Sequence, residues 1–183
     1  MKKQSTFAYV LKLSVTLLLI TGITAAALAG INSITAPKIA AINAQKTQDA
    51  IEAVLPGGGE KLENFSDEGG VVTAVYASET GYAVEVSPAG FNGAIKMMVG
   101  VAKDGSVLDI SIISHTETAG LGAVAAAKTS AGEAFRGQYA GQSGSLAVTN
   151  DGGQIDAITG ATITSRAVTA GVNAALACVA KLG

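Results

Sequence analysis

The stretch IKMMVGVAKDGSVLDISII, residues 95–113, decides the fold. Two apolar runs, 95–102 and 107–113, flank Asp104 and Gly105, and an Asp-Gly pair between such runs is a strong hairpin signal. Upstream, Tyr82, Val84 and Val86 alternate with Ala83, Glu85 and Ser87 as in a half-buried strand, and residues 71–76 read as another. An antiparallel meander follows. Downstream, residues 114–122 show no periodicity, whereas 123–135 read as an alanine-rich helix. From about residue 164 to 182, Ala167, Val168, Gly171, Val172, Ala175, Leu176 and Val179 recur at helical spacing, which predicts a closely packed helix. The body of the chain is therefore expected to be α+β, an antiparallel sheet with packed helices, with no internal repeat.

Outward from that body, residues 13–37 form 25 consecutive uncharged positions between Lys12 and Lys38, including Leu17, Leu18, Leu19 and Ile20. Roughly 20 such residues cross a hydrocarbon core as a helix. Lys2, Lys3 and Lys12 precede the run and no acid occurs before Asp49, so the N-terminus is expected in the cytoplasm and the rest outside. A cleaved signal peptide is the competing reading, since Ala25, Ala26, Ala27 and Ala29 suit processing. The run is long for a signal core and continues through Ile31 and Ile34, which favours a retained anchor. After Pro37, residues Ile39, Ala40, Ile42, Ala44, Ile51, Val54 and Leu55 predict a helix that continues from the span, and Pro56 with Gly57 to Gly59 stop it. The expected layout is a cytoplasmic segment 1–12, a transmembrane helix 13–34, a helical stalk 35–59 and an extracytoplasmic domain 60–183.

Composition narrows the chemistry. The 183 residues are 49% hydrophobic and only 14% charged, which argues against a disordered chain. Twelve Lys and Arg against fourteen Asp and Glu leave no basic surplus for a polyphosphate, so nucleic acid is not an expected partner. A single cysteine, Cys178, excludes an intramolecular disulfide, a CxxC pair and a cysteine-ligated iron–sulfur cluster. Any electrons handled here must reside on an organic cofactor. No nucleophile elbow, paired-carboxylate signature or lysine-bearing phosphate loop occurs, so no catalytic residues are expected. His115, the only histidine, lacks the companions of a metal site and reads as a loop-positioning residue; no metal site is expected. Cys178, Met97 and Met98 read as core, and Asp104 as part of a turn.

The segment DAITGATITSR, residues 156–166, stands before the last helix. Gly160 and Ala161 leave the backbone open to a bulky group, and Thr164 or Ser165 can cap the helix. The helix N-terminus would then offer N–H groups and positive potential to an anion, with Arg166 in its first turn. By residue chemistry alone, a capped turn that binds nothing fits as well.

Asp-x-x-Thr-Gly-Ala-Thr at 156–162 resembles the flavinylation motif of the FMN-binding domain family, in which the last threonine is esterified to the phosphate of FMN. The loop SHTETAGLG at 114–122 resembles the His-x-Glu-Thr-Pro-Gly-Leu-Gly loop that family members place beside the flavin. The spacing of these loops, GYAVEV at 81–86, FRGQ at 135–138, the stalk and the single span are similar to the G-subunit family of Rnf ion-translocating electron-transport complexes, over nearly the whole chain.

The resemblance implies covalent FMN on Thr162, with Thr159, Gly160, Ala161 and Thr164 around the phosphate. Asp156 would belong to the sequence read by the flavin transferase that installs FMN from FAD. Glu117, Thr118 and Leu121 would lie against the isoalloxazine. Ala119 stands where the family usually has proline, which implies a looser loop there. The implied function is that of an electron-transfer subunit in the plasma membrane, partnered by the other membrane and peripheral Rnf subunits, within a ferredoxin:NAD oxidoreductase that translocates ions. The C subunit of a sodium-translocating NADH:quinone reductase and a stand-alone exported flavoprotein are the alternatives.

Overall fold

A computed structural model describes residues 6–65 and 69–182. Lys2 and Lys3, on which part of the expected orientation rests, lie outside the described residues. The chain forms two compact units, Met1–Gln45 and Lys46–Gly183.

The first unit is helical. Helix α1, Thr6–Val54, runs unbroken through Pro37, so the segments expected as span and stalk fall in one helix. From Phe7 onward it is long and apolar enough to cross a membrane, and its window of greatest hydropathy is buried by nothing among the described residues. Five of its hydroxyls are satisfied within the helix. The hydroxyls of Thr16, Thr21, Thr24 and Thr35 donate to carbonyls four residues back, and that of Ser33 to Gly30 three back, at 2.7–2.9 Å. Such bonds remove the penalty of bringing a hydroxyl into hydrocarbon.

The second unit is α+β. Five strands pair antiparallel in sequence order: β1 Glu60–Leu62, β2 Val72–Ala77, β3 Gly81–Val86, β4 Lys96–Ala102 and β5 Val107–Ser114. The expected meander is present. The β4–β5 turn closes with Gly105 N–H donating to Ala102 O, and Gly105 at φ +83 takes the left-handed conformation that glycine allows. Asp104 Oδ1 accepts from the amide and hydroxyl of Ser106, bonds that hold its carboxyl below the usual range. Strand β1 is an addition: Glu-Lys-Leu has no strand pattern and is held by pairing with β2.

One sheet face carries Val75, Val84, Val86, Met97, Val99, Val101 and Ile110 into the main core. It is covered by α3, Thr162–Ala180, and α2, Ser130–Gly137. Gly171 brings α3 close to the sheet, since a Cβ there would run into Met97 Cε. Helix α3 is itself apolar enough to span a membrane, but it is mostly buried in this domain and is a core helix. Cys178 is buried on it. The opposite sheet face, at Ala83 and Met98, packs against Ala50, Ile51, Val54 and Leu55 of the chain around the end of α1. The close approach needs Gly100, where a Cβ would collide with Val54 O.

Two helix boundaries differ from expectation. Residues 123–135 form two elements, a 3-10 turn Gly122–Ala126 and α2. Ala127 is extended, and Thr129 caps the new helix by accepting from Gly132 N–H at 3.3 Å. A capping threonine at that point restarts the chain and wins over alanine's helix propensity. Helix α3 begins at Thr162, two residues before the expected start.

Candidate functional site

Three loops meet at the N-terminus of α3. One joins β3 to β4, one follows β5, and the third precedes α3. They enclose a cavity of about 330 Å³ lined by Thr162, Gly160, Ala161, Thr164, Glu117, Thr118 and Leu121, together with Phe91, Gly122 and Ile163. Seven of the nine residues expected at the site thus surround one space.

Glu117 ties the three loops together. Its carboxylate is buried, with Oε1 accepting from the N–H groups of Phe91 (2.9 Å) and Asn92 (3.1 Å) and Oε2 accepting from the Thr164 hydroxyl (2.5 Å). Three donors on an acceptor-only group satisfy it. Two glycines leave room for it: a Cβ on Gly90 would lie 2.5 Å from Oε1, and one on Gly122 would lie 2.6 Å from Oε2. His115 serves this arrangement, its Nδ1 accepting from Glu117 N–H at 3.2 Å. Around it, Thr116 Oγ1 donates to Asn92 O and Asn92 Nδ2 donates to Thr118 Oγ1, each at 3.0 Å.

The start of α3 is open. Ala161 precedes the first helical residue without a side-chain cap, and Ser165 N–H makes the first i−4 bond, to Ala161 O. The amides of Thr162, Ile163 and Thr164 therefore have no helical carbonyl to bond, and these three residues line the cavity. The Thr162 hydroxyl has no hydrogen-bond partner among the described residues. Gly160 turns at φ +75, leaving the chain before Thr162 without a Cβ, which would otherwise sit 3.1 Å from Leu121 Cδ2.

Two expectations are corrected, the cap of α3 and the place of Arg166. Thr164 does not cap α3 because its hydroxyl is committed to Glu117, and Ser165, inside the helix, donates to Ala161 O while accepting from Ile158 N–H. Arg166 does not line the cavity. It forms a two-pronged pair with Asp151, at 2.7 Å and 2.5 Å, which lowers the Asp151 pKa and raises that of Arg166. Thr159 and Asp156 line a neighbouring cavity of about 610 Å³, with Phe135 and Gln138, rather than the one at Thr162. Gln138 fixes that segment by exchanging two hydrogen bonds with the Asp156 backbone (2.7 Å and 3.2 Å). Phe91 and Asn92 belong to the site although no periodicity marks them; the glycines at 90 and 93 were the available signal.

Residues 90–177, which hold the Phe91 tip of the first loop and all of the other two, match the FMN-binding domain family. The chain is 37% identical over 154 residues to the G subunit of the proton-translocating ferredoxin:NAD(+) oxidoreductase complex of Clostridium ljungdahlii, covering 81% of this chain and 80% of that protein. It is 33% identical over 197 aligned positions to the G subunit of the Na(+)-translocating ferredoxin:NAD(+) oxidoreductase complex of Acetobacterium woodii, covering 94% and 92%. It is also 29% identical to the G subunit of the ion-translocating oxidoreductase complex of Methanosarcina acetivorans, covering 90% and 92%. The chain belongs to the Rnf G-subunit family.

For a member of that family, the group to be tested against this cavity is FMN, a flat aromatic body joined to a phosphate. The residues fit it. The three residues whose amides lack helical partners line the cavity at the positive end of α3, which suits an anion, and one of them carries the unbonded hydroxyl. Phe91, Leu121 and Ile163 give the same space an apolar rim.

Proposed function

We propose that this chain is the flavin-carrying electron-relay subunit of a membrane-bound, ion-translocating ferredoxin:NAD oxidoreductase, with FMN joined through its phosphate to Thr162 Oγ1. The observation that carries the reading is the unbonded Thr162 hydroxyl at the open N-terminus of α3, in a cavity that also collects Glu117, Thr118 and Leu121 from a loop some 40 residues upstream.

In the attachment step, Thr162 Oγ1 bonds to the FMN phosphorus of FAD, the pyrophosphate bond breaks, AMP leaves, and the hydroxyl proton passes to a base on the transferase. Gly160 and Ala161 keep the approach to that oxygen clear, and the amides of residues 162–164 hold the phosphate's negative charge. Asp156 and Thr159, on the adjoining cavity, belong to the surface the transferase reads. When bound, FMN supplies the redox chemistry, and this chain orients it and restricts its contact with water. An ester bond suits an extracytoplasmic site, where a dissociated cofactor would be lost by dilution. Helix α1 anchors the domain with the N-terminus on the cytoplasmic side, and the other Rnf subunits are its redox partners.

Intact-mass and peptide analysis of the chain produced with its transferase tests this reading. The expected result is an added FMN phosphoryl mass on the peptide containing Thr162 and its absence from Thr162→Ala. An unmodified native chain, or flavin retained by Thr162→Ala, overturns the attachment. Purification of the native chain with the other complex subunits favours the relay role; recovery as a lone flavoprotein active with soluble acceptors favours the stand-alone reading.

A further inference from the structure

Among the described residues of the unit Lys46–Gly183, the large apolar side chains left exposed are Phe91, Leu108, Leu121 and Ile163. Three of the four border the cavity at Thr162. Scattered exposed apolar residues are ordinary, but their gathering at one cavity marks a surface that something flat and apolar covers. Phe91 is the extreme case, 62% exposed at the tip of the β3–β4 loop.

The tip is nevertheless fixed. Gly90 N–H bonds to Gly93 O at 2.7 Å, and Ala89 and Ala94 bridge beneath it. Glu117 then takes the N–H groups of both Phe91 and Asn92, while Thr116 and Thr118 bond to Asn92. A ring with little packing of its own thus sits on backbone held by two side chains of the loop after β5, Glu117 and Thr116, while Thr118 holds the Asn92 side chain. An aromatic ring presented on restrained backbone is prepared for stacking, because little freedom remains to be lost when its partner arrives.

We propose that Phe91 covers one face of the flavin ring and that Glu117 is the positioning residue that holds it there. This rests on the reading that Thr162 carries FMN. Glu117 acts through the loop: its Oε1 fixes the two amides, and its Oε2 docks on Thr164, the third residue of the helix that begins at the attachment site. The carboxylate thereby sets the height of the aromatic tip above the point of attachment.

The test uses the full-length flavinylated chain. Tryptophan next to an excited flavin quenches its emission by electron donation, so Phe91→Trp is expected to lower covalent-flavin fluorescence several-fold at unchanged flavin absorbance. Leu108→Trp, exposed but away from the cavity, leaves the emission unchanged. In the Phe91→Trp background, Glu117→Ala restores most of the emission, whereas Glu117→Gln, whose amide oxygen still accepts both N–H groups, keeps it quenched. If Glu117→Ala does not yield folded protein, Gly90→Ala replaces it, because the added Cβ would lie 2.5 Å from Glu117 Oε1 and displaces the same tip. A flavinylated Phe91→Trp chain as bright as the native one overturns the stacking. Quenching that survives displacement of the tip overturns the role of Glu117. A native chain without flavin absorbance fails the attachment reading instead.

Discussion

Glu117 Oε2 and Thr164 Oγ1 share a buried hydrogen bond across 47 positions of sequence, joining the loop after β5 to the first turn of α3. Thr164 N–H belongs to the open helix end, while its hydroxyl is directed at the carboxylate. One residue therefore links the open end of α3 to the loop system that shapes the cavity's rim.

Thr164→Val removes that donor and leaves Glu117 Oε2 without its hydroxyl partner. Leaving a buried acceptor unmatched costs about 1–3 kcal/mol. The expected outcome is a lowered thermal midpoint by circular dichroism, with Thr164→Ser close to native. Thr162→Val, whose hydroxyl has no partner to lose, leaves the midpoint of flavin-free protein unchanged. Equal losses at both positions would contradict the different roles given to these threonines.

Two glycines in one loop separate backbone strain from crowding. Gly120 has φ +76 with open space around it, so Gly120→Ala costs about 1–2 kcal/mol through conformation alone. At Gly122 a Cβ would collide with Thr164 Oγ1 and fall 2.6 Å from Glu117 Oε2. Gly122→Ala is expected to break the Glu117–Thr164 bond and to lower covalent-flavin yield as well as the melting temperature. Gly120→Ala should lower the temperature alone, and in-gel flavin fluorescence beside a thermal melt distinguishes the two.

Tyr139 is fully buried, edge-on to Phe135, with its hydroxyl 2.8 Å from Thr169 Oγ1. Thr169 spends its own proton on Ser165 O, so the tyrosine donates. Burial pushes its pKa up to about 12. A folded pKa above the unfolded value of 10 means the native state holds the proton more tightly. The contribution is complete below pH 10 and declines as pH rises towards 12. Tyr139→Phe is expected to cost about 0.5–1.5 kcal/mol at neutral pH and to flatten the fall in stability between those limits. Denaturant midpoints measured at several alkaline pH values test the sign.

Local chemistry made much of the scaffold legible. Asp104-Gly105 announces its hairpin because a turn depends on adjacent residues, and the alternation at 82–86 announces β3 because Val84 and Val86 share its main-core face, although the other face, expected to be open, is also covered, at Ala83. Strand β1 left no such trace, being three residues fixed by their pairing with β2. The two motif loops were recognisable by resemblance, but how they lock together was not, since Glu117 finds its partners 25, 26 and 47 positions away. Arg166 shows the opposite failure. A cation in the first turn of an anion-facing helix suggests a ligand, yet Asp151, folded back by the preceding loop, captures it.

Ala119 offers a last test because its expected looseness has a defined geometry. Leu121 N–H donates to Thr118 O at 3.2 Å, closing a turn whose third residue, Gly120, has positive φ. In such a turn the second residue takes φ near −60°, which proline presets at the cost only of its N–H. Ala119→Pro is therefore expected to stabilise the chain by about 0.4–1 kcal/mol through a less varied unfolded state. It should also hold Leu121 more firmly at the cavity, reducing quenching of the covalent flavin by iodide in solution. A lowered melting temperature would mean that Ala119 does not adopt the turn's second-position backbone.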